Sequence, residues 1–511
     1  MDIGFNINAL SNNDMKLKIT ATVLALTALI SACDLNEEPY GFYSEENFLK
    51  TAEDAEAGIG YAYDALTFLE YSRTVFYLGD MPSEEVTPKP DEGAGARDLD
   101  SWKVETFPTN HSLMNFFKYA YIAINRANII LEKIPQANFD QTLKNQYLGE
   151  AHFLRAWNYF NLVRNFGLVP MHKTTVNSLE GTAAKRAANL DEVYSLILSD
   201  CRKASELLPV QQATGRADRV AAESLAAKVY LYIASAKEHG VPLYGEMSKD
   251  VQVMYDSAAY YAGLVINGQS VYGFDDNLLA IYDVQKPKGP EHIFLMSMDR
   301  SGVIEGDYSK ISKMFIPYVA GGDIYLDNKN GTYTKSHDGW SVFQTNPDFL
   351  NTFEEGDLRA DLLIVDSVYN AQGGLIARYP GSLPYPFTRK YVDPLFIADK
   401  TSVKPFLIRF SDIALVYAEA AGPTPEAYDQ VNYIRDRAGL GPLNPGLSLQ
   451  EFREAVWKER SWELAFEGNR LYDLRRFNRV TSVVEEAAGL TDEQVAFYPL
   501  PQIEIDLNRG L

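Results

Sequence analysis

The chain has 511 residues, enough by length for several domains' worth of buried core, so a small disulfide-stapled product is excluded. Lys plus Arg number 47 against 69 Asp plus Glu, a net charge of −22 that repels phosphate backbones and argues against nucleic acid as a partner. Two cysteines, Cys33 and Cys201, give no disulfide framework, and 12% aromatic with 23% charged residues is a globular composition.

The first segment reads as an address. Met15-Lys-Leu-Lys opens a basic stretch, residues 19–30 carry no charge, and Ile30-Ser-Ala-Cys33 ends the run in small residues, which is the layout of a secretory signal over residues 1–33. The apolar run is about 18 Å long as a helix, short of the roughly 30 Å hydrocarbon core. Residues 1–14 read as an upstream overcall of the start, which is placed at Met15. The Ile-Ser-Ala-Cys ending resembles the lipobox of bacterial lipoproteins, which implies cleavage before Cys33 and acylation of that residue. An acidic stretch, Asp34-Leu-Asn-Glu-Glu, follows.

Beyond about residue 50 the apolar spacing is mostly helical, as in Phe117, Ala120, Tyr121 and Ile124, or Phe153, Ala156, Trp157 and Phe160. Breaks at Pro135, Gly167 and Pro170, Pro209, and Gly439 with Gly441 divide it into helical pairs near 112–134 with 140–166, 189–208 with 217–236, and 411–421 with 425–438. These pairs have the size of tetratricopeptide hairpins. The spacing therefore predicts a mainly α, tetratricopeptide-like scaffold over about 44–266 and 406–480. Two stretches break the pattern: an acidic one at 80–110, and one at 267–405 rich in Gly, Tyr, Pro, Asn and Asp. The second holds too many aromatics for disorder and reads as a loop-rich subdomain inserted in a single domain over 34–511.

Enzyme constellations are missing. There is no nucleophile elbow, Walker loop or His-Glu-x-x-His, and Gly93-Ala-Gly95-Ala does not complete a dinucleotide fingerprint. The six histidines have no pair at i, i+3 or i+4, so local spacing gives no metal site, and nothing implies a cofactor. Cys201 lies in a helical stretch and reads as packing. Arg460, Glu463, Glu467 and Arg470 form a charged stripe at helical spacing, which reads as a mutually satisfied structural network and not as a catalytic group.

A resemblance to the SusD/RagB family of outer-membrane nutrient-binding lipoproteins rests on a series of stretches in order. They include the lipobox at Cys33, Ser44-Glu-Glu-Asn-Phe48, Tyr121-Ile-Ala-Ile-Asn-Arg-Ala-Asn128, Gly149-Glu-Ala-His-Phe-Leu-Arg-Ala156 and Phe166-Gly-Leu-Val-Pro170. Further on come Arg409-Phe-Ser-Asp-Ile-Ala-Leu-Val-Tyr-Ala-Glu-Ala420, Val431-Asn-Tyr-Ile-Arg-Asp-Arg-Ala-Gly439, Glu463-Leu-Ala-Phe-Glu-Gly-Asn-Arg470 and Phe497-Tyr-Pro-Leu-Pro501. The resemblance implies a helical lid on a TonB-dependent transporter barrel of the outer membrane, tethered by lipidated Cys33 and facing the cell exterior. It implies capture of an oligosaccharide or a peptide without catalysis.

Sugar rings stack on flat apolar side chains, and planar polar groups read their hydroxyls. Trp157, Trp457 and Trp462 lie on helical patterns and read as core, whereas Trp102 and Trp340 fall in the two irregular stretches. Family members place binding aromatics in those neighbourhoods. The expected stacking platforms are therefore Trp102 and Trp340, with Tyr325, Tyr333 and Tyr318, and the expected polar contacts are Arg97, Asp98, Asp100 and Asp338. Two other classes stay open at this point: a surface glycan hydrolase using paired carboxylates, and a protein-binding helical scaffold. The charge of −22 opposes strongly acidic polysaccharides unless a local basic patch overrides it.

Overall fold

Short polar residues open the main helices of the computed structural model, which describes residues 49–511 apart from 179, 268–270 and 320. Thr51 caps α1 (Ala52–Thr67) in a reciprocal box with Asp54. Asn110 caps α2 (His111–Lys133), Asp140 caps α3 (Gln141–Phe166) and Asn189 caps α4 (Leu190–Leu207). Asp218 and Asp250 do the same for α5 (Arg219–Glu238) and α6 (Val251–Ile266). After the insertion come α7 (Phe410–Ala421), α8 (Pro425–Arg437) with Thr424 as cap and Pro425 at the first position, α9 (Leu449–Glu463) with a Ser448–Glu451 box, and α10 (Arg470–Arg476). Each capping oxygen accepts a backbone N–H that the helix itself leaves unpaired. Gly167 ends α3 at φ +67°, a conformation that carries little penalty only without a Cβ.

Consecutive helices α2 through α8 pack as neighbours, and α9 lies against α7. Helix α3 is buried on every side from Gly149 to Phe166, which marks it as the centre of the stack and explains why its apolar pattern is not confined to one stripe. The scaffold is mainly α and tetratricopeptide-like, with an irregular insertion, and the helical pairs fall within a few residues of the positions the periodicity indicates. The signal segment, Cys33 and the 44–48 motif lie outside the described residues.

Short strands lie in and around the insertion, and one, β1, lies in the 80–110 stretch. In chain order the strands are β1 (Val86–Pro88), β2 (His292–Leu295), β3 (Ile324–Asp327), β4 (Tyr333–Ser336), β5 (Phe343–Thr345), β6 (Ile364–Val365), β7 (Ser367–Tyr369), β8 (Leu375–Arg378), β9 (Phe387–Thr388) and β10 (Phe406–Arg409). Antiparallel β2 and β10 close the neck of the insertion, with Phe406 opposite Leu295 and Arg409 opposite His292, just before α7 begins. Beyond the neck lies a four-stranded antiparallel sheet in the order β4-β3-β7-β8. Its inner face, with Ile324, Leu326, Val368 and Ala377, packs on Ile316, Leu383 and Phe387.

The charged stripe of α9 and the turn after it is a buried structural network. Glu463 accepts hydrogen bonds from Arg409 at 2.8 Å, Arg437 at 2.6 Å and Arg359 at 3.2 Å, and Glu467 is bonded by Arg409, Lys390 and the Tyr282 hydroxyl. Arg460 joins Asp412 and Asp473, each at 2.9 Å. Buried charges persist only when partnered in this way. The acidic opening of the 80–110 stretch is also structural. Asp80 accepts the Gly468 N–H at 2.8 and 3.0 Å, Glu85 accepts the Phe466 N–H at 3.0 Å, and Glu84 pairs with Arg470. A Cβ on Gly79 would stand 2.2 Å from the Gly468 carbonyl oxygen, so only glycine permits this approach.

Candidate functional site

The two irregular stretches meet through one small ladder. β1 pairs antiparallel with β5, setting Val86 opposite Thr345 and Pro88 opposite Phe343, so the 86–88 segment lies beside the chain that has just left Trp340. Trp340 is half-buried. Its backbone N–H donates to the Lys313 carbonyl at 2.6 Å, and the Arg73 guanidinium carbon stands 5.7 Å from its ring centroid. Arg73 pairs with Glu305, which also faces Lys310 at 3.5 Å. Lys313 pairs with Asp399 at 2.9 Å, and Tyr77 packs on Phe343 at 5.2 Å between centroids. Burial first, then the Glu92 carboxylate, pushes the Tyr77 phenol up to about 12, so this ring presents a neutral hydroxyl.

Trp340 is fixed by a close approach. A Cβ on Gly339 would stand 1.9 Å from the Ile316 carbonyl oxygen, and Gly339 and Ser341 donate their N–H groups to Pro317 and Ile316. Asp338 closes the same turn, accepting the Val319 and Gly321 N–H groups at 2.7 Å each. Asp338 is thus a buried clasp whose carboxylate oxygens are occupied, a correction to its expected place among the polar contacts. What it holds are the backbone groups of Val319 and Gly321, next to Tyr318, which is 73% exposed.

Tyr325 and Tyr333 lie on the outer face of the sheet. Tyr325 is opposite Lys335 on one side and Tyr369 on the other, and Tyr333, 38% exposed, packs on Tyr369 at 5.3 Å. Alternation turns Ile324 and Leu326 inward and these tyrosines outward. Lys335 lies over the Phe396 ring at 4.8 Å, and Phe396 meets His337 at 5.0 Å, so side-chain contacts run from the tyrosine face toward the Trp340 turn.

The other expected platform is not on this face. Trp102 is 3% exposed, donates its indole N–H to the Pro82 carbonyl at 3.0 Å, and packs on Phe107 and Tyr498. Here the irregular stretch folds back as a short helix, Ala94–Asp100, and a 3₁₀ turn, Val104–Thr109, and the largest side chain between them fills the core. A stacking role for Trp102 is therefore corrected to a packing role. Arg97 is exposed, Asp98 pairs with Lys103 at 3.3 Å, and the Asp100 carboxyl is pushed up to about 7 by burial and then by the Glu486 carboxylate. Among the described residues no hydrogen bond, ion pair or ring contact links these three to Trp340. Arg73, Tyr77, Tyr369 and Phe396 were not singled out in the sequence, because no motif marks them and only the folded chain gathers them.

Cys201 is buried, and burial pushes its thiol well up, away from nucleophilic use. Among the described residues no group of three His, Cys, Asp or Glu side chains is placed to hold a metal ion. No described helix is long and apolar enough to cross a membrane.

A helical stack with this insertion, carrying an aromatic turn beside the 86–88 segment, matches known proteins along most of its length. Residues 84–231 match the family model described as "Starch-binding associating with outer membrane", and residues 365–511 match the model of the SusD family. The chain belongs to the SusD/RagB family. A SusD-like protein of Formosa agariphila, P38, is 26% identical over 516 residues, covering 95% of each chain. A SusD homolog from Bacteroides thetaiotaomicron superposes with a TM-score of 0.74 at 23% identity, over 92% of this chain and 98% of that one. A laminarin-binding SusD-like protein superposes with a TM-score of 0.72 at 22% identity, over 89% and 98%.

Proposed function

We propose that this SusD-like chain is a surface lipoprotein, anchored to the outer membrane through acylated Cys33, that captures an oligosaccharide at the Trp340 face and passes it to a TonB-dependent transporter without cleaving it. The observation that carries this reading is the half-buried Trp340 ring beside Arg73, on a turn fixed by Gly339 and Asp338. A rigid indole with an adjacent guanidinium supplies a flat apolar surface and a fork of donors, the two features a pyranose ring needs. Tyr318, Tyr325 and Tyr333 extend the platform. The similarity to a chain described as laminarin-binding supports a glycan as the ligand class.

The carboxylates around Trp340 favour binding over hydrolysis. A general acid needs a carboxyl held up toward neutrality. Beside Trp340, Glu305 faces Arg73 and Lys310, and the hydrogen bond from Lys313 holds the Asp399 carboxyl below its usual range. Calorimetric titration of the purified chain against neutral oligosaccharides, acidic oligosaccharides and peptides, with product analysis, tests the reading. Binding of a glycan that is recovered intact supports it. Binding of peptides alone, or cleavage of the glycan, overturns it.

A further inference from the structure

Between the β3–β4 hairpin and the 277–286 segment lies a cavity of about 340 Å³ that shares no lining residue with the Trp340 turn. Thr334 lines it, and strand alternation puts Thr334 on the opposite face of the hairpin from Tyr333. Its floor is Arg389, 6% exposed. The guanidinium donates to the Asp327 carbonyl at 2.9 Å and to Asn328 Oδ1 at 2.6 Å, both neutral acceptors, and it makes no ion pair among the described residues. Arg359, Arg409 and Arg476 are as deeply buried, and each of them faces carboxylates. Arg389 therefore keeps donors to spare, out of the five a guanidinium carries, beside a space large enough for a substituent.

Carboxylates stand near the cavity, but among the described residues none forms an ion pair with Arg389. Burial pulls the Arg389 guanidinium down to about 10, with only the Asp327 charge opposing. At the rim Lys286 is exposed and makes no ion pair among the described residues, while Asp283 has one oxygen held by the Gln285 N–H at 2.9 Å. Arg389 and Lys286 bring two cations to this cavity, and neither is ion-paired among the described residues of a chain whose net charge is −22. A buried guanidinium without a direct ion pair is costly, and an anion that accepts its remaining N–H groups lowers that cost.

We propose that this cavity binds an anionic substituent on a sugar, a uronate carboxylate or a sulfate ester, with Arg389 as the floor contact and Lys286 as the rim contact. The inference rests on the glycan-binding reading above and names a second ligand class for it. The N–H groups that Arg389 has left suit either anion, and the cavity is separate from the stacking turn, so an acidic oligosaccharide occupies it independently of Trp340.

The test is calorimetric titration of the full chain at low salt with an oligogalacturonate, a sulfated galactan oligosaccharide and a neutral galacto-oligosaccharide, for the native protein and for Arg389→Gln, Lys286→Ala and Trp340→Ala. The expected result is binding of at least one anionic probe that weakens about tenfold in Arg389→Gln, several-fold in Lys286→Ala, and steadily with added salt. The two anionic arms separate carboxylate from sulfate. Failure of both anionic probes to bind, or equal binding by native protein and Lys286→Ala, overturns the proposal, and Lys286→Ala decides if Arg389→Gln does not fold. A neutral glycan that binds through Trp340 while both anions fail leaves the glycan-capture reading standing and removes this one. Anion binding that depends on Lys286, with no ligand affected by Trp340→Ala, does the reverse.

Discussion

The Trp102 indole N–H donates to the Pro82 carbonyl at 3.0 Å, and that bond separates the two tryptophans of the irregular stretches into different roles. Trp102→Ala removes a buried ring packed on Phe107 and Tyr498 and leaves the Pro82 carbonyl unpaired. The expected cost is about 3–5 kcal/mol of stability, read by chemical denaturation, with glycan affinity unchanged in the protein that remains folded. An unaltered midpoint would contradict the packing assignment.

Glu463 supports a second prediction. Burial pushes its carboxyl up, but the Arg437, Arg409 and Arg359 guanidinium groups outweigh that and hold it well below the usual carboxylate range. A depressed carboxyl contributes stability that is complete above its unfolded pKa, about 4.5, and is lost as pH falls further. Glu463→Gln leaves three guanidinium groups under-neutralised, so it is expected to cost about 3–5 kcal/mol at pH 7 and to flatten the acid limb of the stability curve. Melting curves from pH 7 down to pH 3 measure both effects.

Asp100 works in the opposite direction. Its carboxyl is raised to about 7 from an ordinary value near 3.8, so the native state holds a proton that the unfolded chain releases between those values. Its contribution is therefore present below about pH 4 and is lost as pH rises through 7. Asp100→Asn is expected to leave the melting temperature unchanged at pH 4 and to raise it at pH 8. Equal shifts at both pH values would sink the assignment.

Asp338 tests whether the loop clasp shapes the binding face. Asp338→Ala frees the Val319 and Gly321 N–H groups. The expected loss is about 1–3 kcal/mol of stability, with weaker glycan binding because the Tyr318 turn and the Trp340 turn lose their tie. Asp338→Asn, which keeps one acceptor, is expected to fall between the native protein and the alanine variant in calorimetry.

The helical frame was legible because it is local. Caps such as Asn110, Asp140, Asn189 and Asp218 and stops such as Gly167 act within a few residues of the helices they bound. The charged stripe through Glu463 and Glu467 was legible as structure from its spacing alone. The fate of Trp102 was not, because its burial depends on the Pro82 carbonyl and on Tyr498, which no local pattern connects to it. Asp338 carried no sign that its oxygens would be filled by Val319 and Gly321. The sheet was hidden for a similar reason: its strands are at most four residues long, too short for period-two alternation to stand out. Arg73 reaches Trp340 only because the insertion folds back onto the helical stack.

The most direct measurement is calorimetric titration of native protein and Trp340→Ala with the same neutral oligosaccharide, alongside melting curves for both. The account predicts that Trp340→Ala melts within a degree or two of the native protein and binds at least tenfold more weakly. Equal affinity in a folded Trp340→Ala variant would contradict the placement of the glycan at this turn.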